Sequence, residues 1–165
     1  MIFSRNLILA TALAACAQPA LSLSCLPPDV ARTFKTASEV EDLYVIVHGV
    51  LSFDEKRVPK EDFDNQENTP PDTFVPATLK GRSLGLDGYS QSFDQDITLN
   101  VRCFGPWCGG ARSGIEYLAF LKKDDDGYLL ELDPCGGMGF GQPTKEMLDT
   151  SALCMRGNIC KEKAF

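Results

Sequence analysis

The chain has 165 residues, and its 16 Lys and Arg against 23 Asp and Glu give a formal charge of −7. Binding to polyanions rests on clustered Lys and Arg. No such cluster occurs here, which excludes nucleic acid as a partner and argues equally against a polybasic membrane patch.

The first residues, MIFSRNLILATALAAC, carry one charge, Arg5, and then an apolar run from Leu7 to Ala15. That run is far short of the roughly 20 residues a membrane span needs. Followed by small residues, it reads as a secretory signal. Three cleavage sites compete. Leu13-Ala14-Ala15-Cys16 fits the bacterial lipobox and makes Cys16 a candidate for lipidation; Ala20-Leu21-Ser22 is an A-x-A-like site; Ser22-Leu23-Ser24 leaves Cys25 first. The expected organisation is a signal peptide over 1–22, ending at 15 in the lipobox reading, and a single domain over 23–165. About 140 residues suffice for one domain with its own core. The product is expected outside the cytoplasm, periplasmic or secreted, without a transmembrane helix after processing. A modified Cys16 would add a lipid anchor.

Apart from Cys16, the cysteines are Cys25, Cys103, Cys108, Cys135, Cys154 and Cys160. An even set in an exported chain reads as disulfides. Six cysteines allow 15 connectivities, and all stay open at this point.

Asp29 caps a short expected helix over Val30 to Ala37. Leu43 to Leu51 is dense in β-branched residues and reads as a buried strand. Asp54 to Asp72 is polar, carries three prolines and has no apolar period; loops of this length are usually functional or disordered. Thr73 to Lys80 is a second strand, with Pro76 arguing for an edge or a bulge. Gly81 to Gly88 is expected to be a turn region.

Ile97 to Cys103 alternates apolar and polar, as a half-wet strand does. Ile115 to Leu121 and Tyr128 to Leu132 follow, joined through Asp126-Gly127. A last helix, capped by Thr144, is expected over Lys145 to Leu153. Five strands, two short helices and a long polar loop suit a mainly β domain, a small barrel or sandwich.

Several chemistries are suggested and each has a plainer reading. Trp107-Cys108-Gly109-Gly110 resembles the opening of a thioredoxin-type site, but position 111 is Ala111 and the setting is a strand. Such sites use paired cysteines at a helix N-terminus, so a structural disulfide is the expectation. Zinc on Cys103, Cys108 and Cys135 or His48 fits poorly with an oxidising compartment. His48, the only histidine, lies mid-strand on the face of Tyr44, Ile46 and Val50. It reads as a hydrogen-bonded packing residue, with Arg112-Ser113-Gly114 as a loop and no nucleophile elbow. Asp124-Asp125-Asp126-Gly127 lacks the alternate acidic spacing of a calcium loop and reads as a solvated turn. No catalytic centre, metal or cofactor is expected.

The order of elements resembles the netrin-like domain, the OB-fold family that includes the tissue inhibitors of metalloproteinases. The resemblance runs over roughly 25–135. It is carried by Cys25 before a short helix, Val45-Ile46-Val47-His48-Gly49-Val50, Leu79-Lys80-Gly81, Cys108-Gly109, Gly114-Ile115-Glu116-Tyr117-Leu118-Ala119-Phe120, and Asp126-Gly127-Tyr128 leading to Cys135. It implies a five-stranded OB-like barrel with short flanking helices. It also implies bridges Cys25–Cys108, Cys103–Cys135 and Cys154–Cys160. The inhibitors carry a second cysteine two residues after the first, where this chain has Pro27, and they need the first cysteine at a free N-terminus.

The function expected is therefore an exported, non-catalytic binding or envelope-associated module with a protein partner. The 54–72 loop is the candidate contact surface, with Asp62, Phe63 and Asn65 as contact residues, because such modules bind through loops. Two alternatives come from other classes: a metalloprotease inhibitor using an N-terminal Cys25, and a thiol-dependent redox protein using Cys108.

Overall fold

The computed structural model describes residues 23–163; the expected signal peptide and Cys16 lie outside them. Helix α1 spans Val30–Glu39 and is followed by β1 (Leu43–Phe53), β2 (Asp72–Gly85), β3 (Gly88–Phe104), β4 (Trp107–Cys108), β5 (Ile115–Asp124), β6 (Gly127–Leu132), β7 (Gly139–Gly141) and α2 (Lys145–Met155).

Five strands form a ring. β1 pairs antiparallel with β2 from Val47↔Ser83 to Phe53↔Ala77, and with β5 from Leu43↔Lys123 to Leu51↔Ile115. β2 continues into β3, β3 runs parallel to β6 over Thr98↔Leu129 to Val101↔Leu132, and β6 returns to β5 through the Asp125-Asp126 turn. The odd-numbered residues of β1, β2 and β3 point inward. Val47, Leu51, Val75, Leu79, Leu99 and Val101 are fully buried there beside Leu121 and Leu130.

β5 differs from its neighbours because Tyr117 to Leu121 are all buried. A strand covered on both faces reads as a continuous apolar run. Its outer face, with Ile46 of β1, packs against α1, Phe140 of β7 and residues of α2.

Gly49 and Gly81 are partners across β1 and β2. A Cβ on Gly49 would lie 2.5 Å from the Lys80 carbonyl oxygen, and one on Gly81 would run into the His48 carbonyl. Only a pair without side chains lets the two backbones approach this closely.

The expected elements occur in order, with β4 and β7 as unexpected additions, two corrections at β2 and β3, and Pro76 at a locally unpaired edge as expected. Gly81 to Gly88 is not a turn region: β2 runs to Gly85, Leu86-Asp87 turns the chain, and Gly88 at φ +94° begins β3. β3 starts nine residues before Ile97, since Gly88 to Asp96 has little apolar alternation and is held by its ladder to β2. Pro76 lies just beyond the end of the β1 pairing, so the missing N–H faces no strand; the irregularity sits instead between Ser83 and Leu84.

All six expected half-cystines are bridged, which is compatible with an extracytoplasmic location. Cys154–Cys160 is as the resemblance implied. The other two bridges correct it: Cys103 pairs with Cys108 and Cys25 with Cys135. Cys103 and Cys108 face each other across the β3–β4 hairpin with Cα atoms 4.0 Å apart, which leaves Cys135, just past β6, to hold the N-terminal segment. No helix of the described residues is long and apolar enough to cross a membrane.

Thr144 caps α2 and Asp29 caps α1, as expected. Asp29 is buried and does more than cap. One oxygen accepts from the Arg32 N–H at 3.0 Å and the other from the Lys163 N–H at 2.7 Å, tying the C-terminal segment to α1. Burial alone would raise this carboxyl's pKa; the backbone donors at Lys163, Arg32 and Ala31 outweigh it and hold it below the usual 3.8.

Two outcomes follow. Gly81→Ala is expected to cost about 2–3 kcal/mol by overpacking, read as a lower urea midpoint; an unchanged midpoint would mean that the strands are not in close contact. The Asp29 contribution is fully present above about pH 3.8 and is lost as pH falls through the lower folded value. Asp29→Asn is therefore expected to flatten the acid limb of the stability curve below pH 3.8, and a limb identical to the parent's would contradict this.

Candidate functional site

The ring gives the long loop a fixed address. β1 ends at Phe53, β2 begins at Asp72, and Asp72 is the partner of Arg102 near the end of β3. The 54–71 segment thus leaves beside Ser113 and re-enters beside the β3–β4 hairpin, where the Cys103 N–H donates to the Pro71 carbonyl at 2.9 Å.

Within the loop, Asp54 caps a single 3-10 turn at Glu55–Arg57, and a second turn spans Gln66–Asn68. The Glu55 carboxylate accepts from the Ser113 N–H at 2.7 Å. Asp62 shapes the tip: its Oδ1 accepts from the N–H groups of Asp64 and Asn65, at 3.1 and 2.9 Å, and the Asn65 amide leans on the same carboxylate. Asx turns of this kind are how Asp and Asn fold loops without a core.

Of the three expected contact residues, Asp62 is thus committed to the turn and Asn65 shares it. Phe63 alone presents a large apolar side chain, 55 % exposed. Its ring meets that of Trp107 edge to face, with centroids 6.0 Å apart, within the range where aromatic pairs attract.

Trp107 is placed by the stretch that resembled a redox motif. β3 turns through Gly105, at φ +61°, and the buried Pro106 into β4, so that Phe104 pairs with Trp107 and Cys103 with Cys108. Glycine at the first central position suits a tight hairpin. The bridge closes the hairpin and holds Trp107 on the same face as Phe104.

Phe104 is itself 40 % exposed, and the Arg102 guanidinium lies 5.7 Å from its ring centroid. Phe74 is 59 % exposed on the outward face of β2, diagonal to Arg102. Phe63, Trp107, Phe104 and Phe74 therefore form an aromatic patch, with the Arg102 guanidinium beside Phe104 and 3.5 Å from the Asp72 carboxylate. Beside it, Phe63, Asp64, Asn65, Gln66 and Asn68 line a cavity of about 400 Å³.

Of this group, only Phe63 was an expected contact residue. Strand parity held the missing signal: with Val75 and Val101 inward, Phe74 and Phe104 must face out.

The other candidates lie elsewhere. The Cys25–Cys135 bridge flanks a cleft of about 480 Å³, whose wall includes Pro28, Asp29, Arg32 and Phe140. His48 packs its ring on Tyr89 with centroids 5.8 Å apart. Contrary to expectation its buried Nε2 has no hydrogen-bond partner among the described residues, with Glu116 at 3.6 Å. Burial raises the Tyr89 pKa, and a 2.7 Å hydrogen bond with Ser151 partly offsets this. Arg112-Ser113-Gly114 is a loop in which the Ser113 hydroxyl accepts from the Phe53 N–H. Asp124 to Gly127 is a tight turn, with the Asp126 N–H donating to the Asp124 side chain. The cysteines suggested as zinc ligands are all in bridges.

No protein-family model matches the chain, and neither a curated protein nor a solved structure matches it.

Proposed function

We propose that the chain is an exported, non-catalytic binding module that holds an envelope component or a protein partner on the Phe63–Trp107 patch. The observation that supports this is the composition of the patch. Trp and Arg are enriched in binding hot spots, and exposed apolar surface grouped in one place marks interaction sites. The ring order, with β1 between β2 and β5 and with β3 parallel to β6, favours an OB-like, netrin-like barrel. OB domains bind ligands on the face of strands 2 and 3 and through the loop joining strands 1 and 2, and the patch occupies those same positions.

The redox alternative loses support from the setting of Cys108, which is bridged to Cys103 between strands and not at a helix N-terminus. The inhibitor alternative draws on one feature, the exposed Cys25 at the mouth of the 480 Å³ cleft. It requires a mature chain beginning at Cys25.

Immobilised parent protein is expected to retain a component of solubilised envelope. Phe63→Ala/Trp107→Ala is expected to retain about tenfold less, and Leu153→Ala, an exposed apolar change on α2, as much as the parent. Equal retention by the double variant would overturn the reading; a folded Phe63→Ala single variant guards against misfolding as the cause of a loss.

A further inference from the structure

The chemistry beside Phe63 narrows the ligand. Besides Phe63, the described residues around the 400 Å³ cavity are Asp64, Asn65, Gln66 and Asn68. The Asp64 carboxylate and the Asn68 amide make no side-chain hydrogen bond among the described residues. Asn65 and Gln66 spend their amide N–H groups on Asp62 and on the Phe63 carbonyl, which leaves their carbonyl oxygens open as acceptors. Among the described residues, the wall therefore offers planar acceptors and an amide donor, with no cation.

Alongside stand the aromatic rings. Phe63, 55 % exposed, keeps apolar ring surface next to these polar groups, and the partly exposed Trp107 meets it edge to face. A surface that pairs aromatic faces with amides and carboxylates complements a molecule with C–H faces and many hydroxyls. The amides and carboxylates exchange hydrogen bonds with hydroxyls, and the rings take up the apolar face. The volume lies within the range of small-molecule sites.

Charge removes the anionic members of that class. The 54–72 segment carries Asp54, Glu55, Glu61, Asp62, Asp64, Glu67 and Asp72 against Lys56, Arg57 and Lys60, and none of the three bases lines the cavity. A polyanion would meet net repulsion there.

We infer that the Phe63–Trp107 platform and the adjoining Asp64–Asn68 cavity bind a neutral oligosaccharide, one segment of an envelope or extracellular glycan. This rests on the binding-module reading and replaces its protein partner with a glycan.

Trp107 is the only tryptophan, so its emission reports directly on the platform. Titration with neutral hexasaccharides (β-1,4-linked N-acetylglucosamine, glucose, xylose and mannose) is expected to give a saturable change with at least one of them, and a polygalacturonate oligomer none. Asp64→Ala and Asn68→Ala, which leave the reporter in place, are each expected to weaken binding about fivefold, and Phe63→Ala about tenfold. Retention of the envelope component is expected to survive protease and to be abolished by periodate oxidation of the component. If no hexasaccharide changes the emission and retention is protease-sensitive yet periodate-resistant, the partner is a protein and this inference is overturned. The binding-module reading survives that outcome, because it fails only if Phe63→Ala/Trp107→Ala retains the component as well as the parent does.

Discussion

β1 is hydrogen-bonded along both edges, and the rest of the molecule takes its place from that constraint. Because β2, β3, β6 and β5 are already paired in that order, the β1–β5 pairing closes the sheet on itself, which sends the odd-numbered side chains to one interior. The closure needs two backbones at a separation that no Cβ tolerates, and the Gly49–Gly81 pair supplies it. Where the β1–β2 pairing stops, at Phe53 and Ala77, the long loop begins; antiparallel pairing brings the end of β3 to the same end of the ring. The loop and the bridged hairpin are neighbours for that reason, although about forty residues separate Phe63 from Trp107.

The two ends of the ring wall then differ in character. Around β5 the outer face is covered by both helices and by β7, and the C-terminal segment is fastened by Asp29 and the Cys154–Cys160 bridge. At the loop end Phe63, Phe74 and Phe104 remain in water. Leaving such side chains exposed forfeits the burial energy that folding would otherwise gain, about 1.5–3 kcal/mol for each fully buried Phe. The Cys103–Cys108 bridge spans a loop too short to shape the domain. Its consequence is local: Trp107 is fixed beside Phe104 and within reach of Phe63. A preset aromatic surface loses less entropy on binding.

Much of this was legible from residues alone. β-branched density marked β1, period-two alternation marked the second half of β3, and the caps at Asp29 and Thr144 marked both helix starts. The first half of β3 was not legible, because Gly88 to Asp96 stands largely in water and only Phe93 is well buried. Cystine pairing was not legible either. It depends on whether Gly105-Pro106 folds into a hairpin tight enough to bring Cys103 opposite Cys108, and two residues of turn decide that. For the site, Phe63 was visible as an aromatic in a polar loop. Phe74 and Phe104 were hidden because one outward aromatic in a strand is unremarkable until the fold places several together. The cavity lined by Phe63, Asp64, Asn65, Gln66 and Asn68 follows the Asx turn at Asp62, a backbone event with no apolar period to announce it.

The β3–β4 hairpin presents Trp107, and the patch depends on it. Digestion of the mature, unreduced protein followed by mass spectrometry of the cross-linked peptides tests it most directly. The expected result is Cys103 linked to Cys108, with Cys25 linked to Cys135. A free Cys108 thiol, or a bridge from Cys25 to Cys108, would contradict it, because Trp107 would then no longer be held against Phe104 and Phe63.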